Sequence, residues 1–391
     1  VHADLIAARR ERLAAAVQDA PFDAFLAVSP ANVDYATGYQ SVSGAVHGRS
    51  GIASFVTPGR TVSAGPVADS APALAGGIAE EDYVAYGRFF FESRDGAAAP
   101  TRMVDAHADL VDAARGAALL AGLGTATIGV DEAAMHPDHR ARLAAALPNA
   151  TFVDASAWAL RVRARKLPGE VELLERSARL AEDGITAAVK MAEVGMTERE
   201  LATVVARTMV EGGAMPRFVV VTAGERSALA DAFATDRPIR PGDLVRFDVG
   251  AVLDGYWSDI GRTAVVGEPN ALQRRFYDAI AAGEEEQLER IRPGMPAGEV
   301  FDIAIAEVER RGLFPYRRHH CGHGIGLDVY EPPIVSPGVA QEIEQDMVFC
   351  LETPYYEIGW GGMMVEDTIV VTEDGHRRLS ISDRSLRVIA A

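Results

Sequence analysis

The sequence predicts an α/β (α+β) protein in two parts, the second built on an internal repeat. Three observations carry this. The first part alternates Ala-rich helical stretches with short strands such as "FDAFLAV" and "TATIGV". A seven-residue pattern, "GMTEREL" at Gly195, returns as "GMPAGEV" at Gly294. Two β-hairpins then carry carboxylates at matching places, although Asp and Glu are poor strand residues.

Composition sets the bounds. A chain of 391 residues, 48% hydrophobic and 24% charged, is an ordinary globular composition and long enough for two or three domains. A formal net charge of −18 argues against nucleic acid or an anionic membrane surface as the main partner. No apolar run approaches the roughly 18 residues of a membrane span. The N-terminal stretch "VHADLIAARRERLAAAV" reads as an amphipathic helix, not as a basic region before a signal core. With only Cys321 and Cys350 present, no disulfide framework is implied, and a reducing, cytoplasmic setting is expected.

In the first part, turn signals such as "SPAN" and "TPGR" separate the elements, and no phosphate-binding glycine loop is present. The charged stretch "RVRARKLPGE" then leads into a long helix whose apolar face is Leu174, Ala178, Ala181, Ile185, Ala188 and Ala192. A boundary near Lys166–Pro168 gives domains of 1–165 and 166–391.

The repeat organises the second part. Glu200 matches Glu299 and Gly213 matches Gly312 at the same offset. Thr197 and Glu200 have capping-box spacing, and Gly212–Gly213 would stop that helix. A strand follows in each copy, "DLVRFD" with Asp248 and "DMVFCLE" with Glu352, and each returning strand brings a second acid, Asp259 or Glu366. With a loop of residues 252–255, Asp248 would face Asp259 directly, a repulsive arrangement unless a divalent cation compensates it. The alternatives for that hairpin are an Asp in solvent at a sheet edge, or a different register. The second hairpin favours the cation, since four acids on twin hairpins form an oxygen-rich site for two ions. Asp254 reads as a turn residue and Asp367 as a neighbour on the opposite face. A histidine ligand is expected from "YRRHHCGHGIGLDVYEPP", where glycines frame His323. Cys321, without a CxxC partner, reads as packing.

Together these residues resemble the creatinase/methionine aminopeptidase superfamily, peptidase family M24, with its pita-bread catalytic domain. The likeness is carried by "FDVG" with Asp248, "YWSDIGRT" with Asp259, "GHGIGLDVYEPP" with His323, "LETPYY" with Glu352 and "MVEDT" with Glu366. The stretch "FDAFLAVSPANVDYATGY" resembles the amino-terminal domain of creatinase, prolidase and aminopeptidase P. The resemblance implies a creatinase-like N-terminal domain, a pita-bread domain with pseudo-twofold symmetry, and two divalent metal ions. Asp259 and Glu366 would bridge the ions, Asp248 would serve one, and His323 with Glu352 the other. Mn²⁺ is expected, with Co²⁺, Fe²⁺ or Zn²⁺ as alternatives. A bridging water of lowered pKa would attack a carbonyl carbon, with Glu352 as proton acceptor and a histidine helping at the oxyanion. His319 matches a substrate-side histidine of prolidase-like enzymes, and Tyr330 stands where many have another. A homodimer is also implied, with His47 or its loop "AVHGRSG" reaching a neighbouring pocket.

The sequence departs from that pattern at two places. Where prolidases and aminopeptidases P usually carry a histidine, 17 residues before the first Asp ligand, this chain has Asp231. Where they carry an arginine two residues before the last Glu ligand, it has Met364. Both changes make the pocket less welcoming to a peptide carboxylate. The expected function is that of a Xaa-Pro dipeptidase or aminopeptidase P-like metallopeptidase on short peptides, with Glu352, His319 and Asp231 in catalysis and His319, Tyr330 and Asp231 at the substrate. The alternative is a non-peptide C–N hydrolase, in the manner of creatinase or ectoine hydrolase, or a related lyase. Its substrate would be a small amide-like compound, with a cationic or neutral group near Asp231.

Overall fold

Residues 3–47, 51–91, 94 and 107–391 are described by the computed structural model, which divides into units Val1–Arg163 and Ala164–Ala391. The side chain of His47 and residues 48–50 of its loop lie outside the described residues.

In the first unit, strands β1 (Ala24–Ala27), β2 (Ala53–Val56), β3 (Thr61–Pro66), β4 (Tyr83–Tyr86), β5 (Thr127–Val130) and β6 (Thr151–Asp154) form one mixed sheet in the order β4-β3-β2-β1-β5-β6. Their apolar residues, among them Leu26, Phe55, Val62 and Ile128, pack with Val111, Ala114 and Ala117 of helix Leu110–Leu120 into one core. The expected N-terminal helix is Ala3–Gln18. "TPGR" is a turn, closed by Thr57 and Arg60. "SPAN" is not. It opens helix Pro30–Thr37, with Ser29 accepting from the Asn32 N–H and Pro30 in the first turn, where a missing N–H costs nothing.

The second unit opens with helix Pro168–Met191, which buries the predicted stripe from Leu174 to Ala188 and packs on β8 (Leu244–Leu253). Each such leucine or isoleucine contributes about 1.5–3 kcal/mol by leaving water. The remaining strands are β7 (Met215–Ala223), β9 (Tyr256–Trp257), β10 (Ile260–Val266), β11 (Gly322–Gly324), β12 (Glu331–Ile334), β13 (Val348–Glu352), β14 (Tyr355–Glu357), β15 (Gly361–Met363), β16 (Glu366–Val371), β17 (His376–Arg378) and β18 (Arg387–Ile389). A sheet runs β12-β11-β13-β16-β10-β8-β7, while β14 and β15 form a separate ribbon.

The repeat is visible in backbone geometry. Helices Glu198–Glu211 and Ala297–Arg310 both have 14 residues. Gly195 and Gly294 precede them and Gly213 and Gly312 follow, all with positive φ between 85° and 96°. The residue before each helix start, Thr197 or Pro296, bridges to Pro238 or Glu342. Thr197 and Glu200 form the predicted capping box. No helix is long and apolar enough to cross a membrane among the described residues.

Candidate metal centre

Strand register decides which acids meet. The first hairpin turns on only two residues, Asp254 and Gly255, with φ of 50° and 90°. Positive φ at both positions is what a tight two-residue turn between right-twisted strands needs. Leu253 therefore pairs with Tyr256, and Asp248 pairs with Gly261, not with Asp259. The expected direct opposition of Asp248 and Asp259 is wrong by two residues. Because the slip is even, both acids stay on one face of the sheet. In the second hairpin Glu352 and Glu366 are directly opposed. Glu366 pairs on its other side with Gly261. One row thus crosses four strands, Glu352, Glu366, Gly261 and Asp248. Asp259 lies two residues before Gly261, where its carbonyl accepts from Thr368 Oγ1 at 3.3 Å. His323 pairs with Cys350, two residues before Glu352 on β13.

Four of the five predicted ligands fall in two overlapping clusters, and the fifth, Glu352, stands opposite Glu366 in the sheet. Ligand atoms of Asp248, Asp259 and Glu366 lie within 4.8 Å of one another, as do those of His323, Cys350 and Glu366. Asp259, His323, Glu352 and Glu366 are buried and Asp248 is half-buried. Gly322, at φ 138°, and Gly324, where a Cβ would meet the Glu331 carbonyl at 2.6 Å, let β11 lie close between its neighbours. The His323 Nδ1 is 3.0 Å from the Gly324 carbonyl, so an Nδ1–H donates there and leaves Nε2 facing the acids.

Electrostatics describe a buried face crowded with like charge. Burial raises the carboxyls of Asp248, Asp259 and Glu366, and Arg246 opposes the rise at Asp248. Burial also disfavours charge on His323, but Asp259, 3.6 Å away, outweighs it and raises the imidazole. Glu352 behaves differently. Burial pushes it up, yet His320 Nδ1 at 2.9 Å from Oε1 and the Arg318 charge hold it below the usual range. Asp259 Oδ1, Glu366 Oε2 and His323 Nε2 are buried without a hydrogen-bond partner. Leaving such groups unmatched costs about 1–3 kcal/mol each. Divalent ions fit this set: carboxylate oxygens and one imidazole, crowded on one face, with unfilled lone pairs. Asp248, Asp259, His323, Glu352 and Glu366 would hold them. Cys350 shares the face, but burial drives its thiol well up and its Sγ lies 3.6 Å from the Asp259 carbonyl, so it fills space here. Cys321 packs in the core beside Phe349 and Val335, as expected.

The other predicted site residues are placed less uniformly. Tyr330 is half-exposed and stacks on His323, ring centroids 3.9 Å apart. His319 is exposed, with its ring edge-on to His320 at 4.1 Å; it is His320 that reaches Glu352. Asp231 is exposed and, among the described residues, makes no ion pair with the acids or their neighbours. Met364 is buried against Gly261, where a Cβ would fall 2.8 Å from its Sδ. Asp367 points to the opposite face and meets Arg262 at 2.6 Å, and Asp254 is the turn residue, both as read from sequence.

Sequence reasoning missed two arginines. Arg246 is fully buried and reaches Asp248 Oδ2 at 2.9 Å from two residues away on the same strand face. That alternation was a usable signal: a charge in an apolar strand, in phase with a ligand. Arg318, from the loop before His323, lies 3.9 Å from Glu352 Oε2. No periodicity marks a loop residue of this kind.

Comparison with known proteins agrees with this geometry. The profile of metallopeptidase family M24 matches residues 172–373, and that of the creatinase/prolidase N-terminal domain matches residues 9–165. A Xaa-Pro dipeptidase of Pyrococcus furiosus is 37% identical over 227 residues, 58% of this chain and 65% of that protein. The chain thus spans just under two thirds of that relative's length. The crystal structure of a prolidase from Pyrococcus furiosus superposes with a TM-score of 0.77 at 26% identity, covering 95% of this chain and 100% of that one. An X-Pro aminopeptidase from Thermotoga maritima gives 0.81 at 22% identity, covering 97% and 99%, a likeness of fold. The catalytic-domain profile takes in more than half the chain and all five of these side chains, and the protein belongs to metallopeptidase family M24.

Proposed function

We propose that this protein is a metal-dependent dipeptidase that cleaves short peptides with proline after the scissile bond. The observation that carries the reading is the gathering of five ligand-type side chains on one sheet face, three of which, Asp259, His323 and Glu366, keep a buried polar atom without a hydrogen-bond partner. Similarity to a protein described as a Xaa-Pro dipeptidase supports the substrate class. Bound divalent ions supply an acidified water and a Lewis acid for the carbonyl oxygen. The chain does the rest. Glu352, kept ionised by His320 and Arg318, accepts the proton of the attacking water and returns it to the departing nitrogen. Tyr330, stacked on His323, fixes the ring plane of that ligand and lines the substrate side.

The metal is assigned as Mn²⁺, which the oxygen-rich donor set supports. The assembly is assigned as a homodimer, supported by exposed Val42 and Val46, at 77% and 74%, on helix Val42–His47. The location is assigned as cytoplasmic, where the free thiols Cys321 and Cys350 are at home. The deciding experiment is an assay of purified protein, stripped and reloaded with Mn²⁺, Co²⁺, Fe²⁺ or Zn²⁺, against Xaa-Pro dipeptides, Pro-second peptides, creatine and ectoine. Cleavage of Xaa-Pro alone is expected. Turnover of creatine or ectoine instead would replace the reading with a small-molecule C–N hydrolase. Metal analysis, size-exclusion chromatography and cell fractionation test the three assignments.

A further inference from the structure

The loop that carries Tyr330 is built around a carboxylate. Gly326 donates to the Asp328 carbonyl at 3.0 Å and accepts from the Trp257 N–H at 2.9 Å, turning the chain between β11 and β12. Inside that turn lies the Glu331 side chain. A Cβ on Gly326 would fall 2.7 Å from its Oε1 and 2.8 Å from its Oε2, so the turn has room for the carboxylate only with glycine there. Oε2 accepts from Lys166 Nζ at 2.7 Å, and Oε1 from the Asp328 N–H at 3.4 Å. Lys166 belongs to the stretch that leads into helix Pro168–Met191, far away in sequence. It is fixed there by its own backbone N–H to the Asp346 carbonyl at 2.8 Å and by Nζ to the Ala164 carbonyl at 3.2 Å. The two side chains are 2% and 3% exposed. Two apolar side chains of the same size would serve stability as well, since a buried pair must first desolvate both charges. What the pair adds is direction, and the residue next to Glu331 is Tyr330, whose ring touches only His323, by stacking, and His320, edge-on at 5.8 Å, among the ring contacts of the described residues.

We infer that Lys166 is a positioning residue for the metal centre: by holding the Glu331 carboxylate inside the turn, it seats the Tyr330 ring against His323 and so fixes the tilt of that ligand. This rests on the metal centre of the dipeptidase reading above, and on nothing about which peptide is cleaved. Backbone pairing alone does not place Tyr330. His323 pairs with Ile334 and Gly324 with Glu331, so β12 advances three residues while β11 advances one. Such an irregularity frees the strand end from the ladder, and the buried pair supplies the missing constraint. At His323 two contacts then divide the work. The Nδ1 contact with the Gly324 carbonyl settles which nitrogen faces the acids, and the stack settles the ring plane. Imidazole ligands depend on such neighbours, and losing one costs on the order of 10- to 100-fold in metal affinity.

The test is a cycle of Lys166→Met, Tyr330→Leu and the two together, read by calorimetric Co²⁺ affinity, the visible spectrum of bound Co²⁺, and Tm. A further protein, Lys166→Met with Glu331→Met, replaces the pair by apolar side chains and covers the case in which Lys166→Met alone does not fold. Lys166→Met and Tyr330→Leu should each weaken Co²⁺ binding on the order of 10-fold and shift its spectrum in the same sense. Combined, they should still cost about 10-fold and not about 100-fold, since both remove one arrangement. The apolar pair should melt close to wild type and lose the same Co²⁺ affinity. Losses that multiply, or an apolar pair that binds Co²⁺ as wild type does, would mean that Lys166 only holds the fold, and the proposal falls. Tyr330→Leu, at a half-exposed ring, decides without either: unchanged Co²⁺ affinity there leaves Lys166 nothing to position. The expected Co²⁺ pattern in a protein that cleaves no Xaa-Pro dipeptide supports the proposal and removes the dipeptidase reading. Cleavage with unchanged Co²⁺ affinity in Lys166→Met does the reverse, and wild-type protein that binds no Co²⁺ removes both.

Discussion

Asp248 on β8 stands opposite Gly261 on β10, and Glu366 stands opposite the same glycine from the other side. The two acids therefore share a row with no side chain between them. A Cβ at Gly261 would lie 2.5 Å from Met364 Cγ and 3.0 Å from Glu366 Cβ. Gly261→Ala should push Met364 and Glu366 out of the row, costing about 1–3 kcal/mol in stability. The loss of metal should be larger than the loss of fold. Calorimetric Mn²⁺ titration and urea unfolding of the same variant check this; unchanged metal affinity would show that the row tolerates a methyl group there.

Arg246 ties that row to the loop beyond β7. Its three carbonyl contacts and the pair with Asp248 are made with the side chain fully buried. Removing one partner of a buried pair is strongly unfavourable, because the other charge and the carbonyls are left unmatched. Arg246→Met should destabilise the metal-free protein by about 3–5 kcal/mol. Added Mn²⁺ should recover part of that by compensating Asp248, read as a Tm difference with and without the ion.

How much of this was legible beforehand follows from what each feature depends on. Acid placement, the repeat and the His323 loop were readable because strand alternation, capping boxes and glycine spacing are local properties. The hairpin register was misread because the turn was taken as four residues. "DG" flanked by alternating hydrophobics is itself the stronger signal for a two-residue turn. "SPAN" was read as a turn for a related reason, since Ser followed by Pro serves a helix N-terminus equally well. His320 and Arg318 could not be read, because which residue of "YRRHH" turns inward depends on long-range packing of the loop against Glu352 and Tyr356.

The raised carboxyls make pH a probe of metal binding. Burial lifts Asp248 to about 7 and raises Asp259 and Glu366 as well. A carboxyl whose folded value exceeds its unfolded one contributes stability that is complete below the unfolded value, near 4. For Asp248 that contribution disappears as pH rises through about 7. His323, also raised, has the same sign, while Glu352, lowered, has the opposite one. The metal-free protein should therefore lose Tm between about pH 5 and pH 8. Ion uptake must displace the bound protons, so affinity should fall as pH falls. Calorimetry in two buffers of different ionisation enthalpy near pH 6.5 should report proton release; identical heats would contradict the raised values.

Glu366 and Asp367 are adjacent, and the alternation of the strand sends them to opposite duties. Glu366 faces Asp259 and Glu352 across a row of like charge, with Oε2 unpartnered. Asp367, on the other face, is fully buried among Arg262 Nη2 at 2.6 Å, Arg378 Nη2 at 2.9 Å and the Ser380 hydroxyl, which donates at 2.6 Å. Arg262, itself fully buried, shares its charge balance between that carboxylate and Glu182 Oε1 at 3.3 Å. The two amide substitutions should therefore diverge. Glu366→Gln removes repulsion and a ligand: the metal-free protein should hold or gain stability by roughly 1 kcal/mol, while metal content and turnover collapse. Asp367→Asn keeps the ligand face but takes the charge of their shared carboxylate from Arg262, which retains Glu182, and from Arg378: stability should fall by about 3–5 kcal/mol while the surviving folded protein still binds metal. Urea unfolding and metal analysis on the pair separate the two roles. If both variants lost metal equally at matched stability, the division of labour between the two faces of β16 would be wrong.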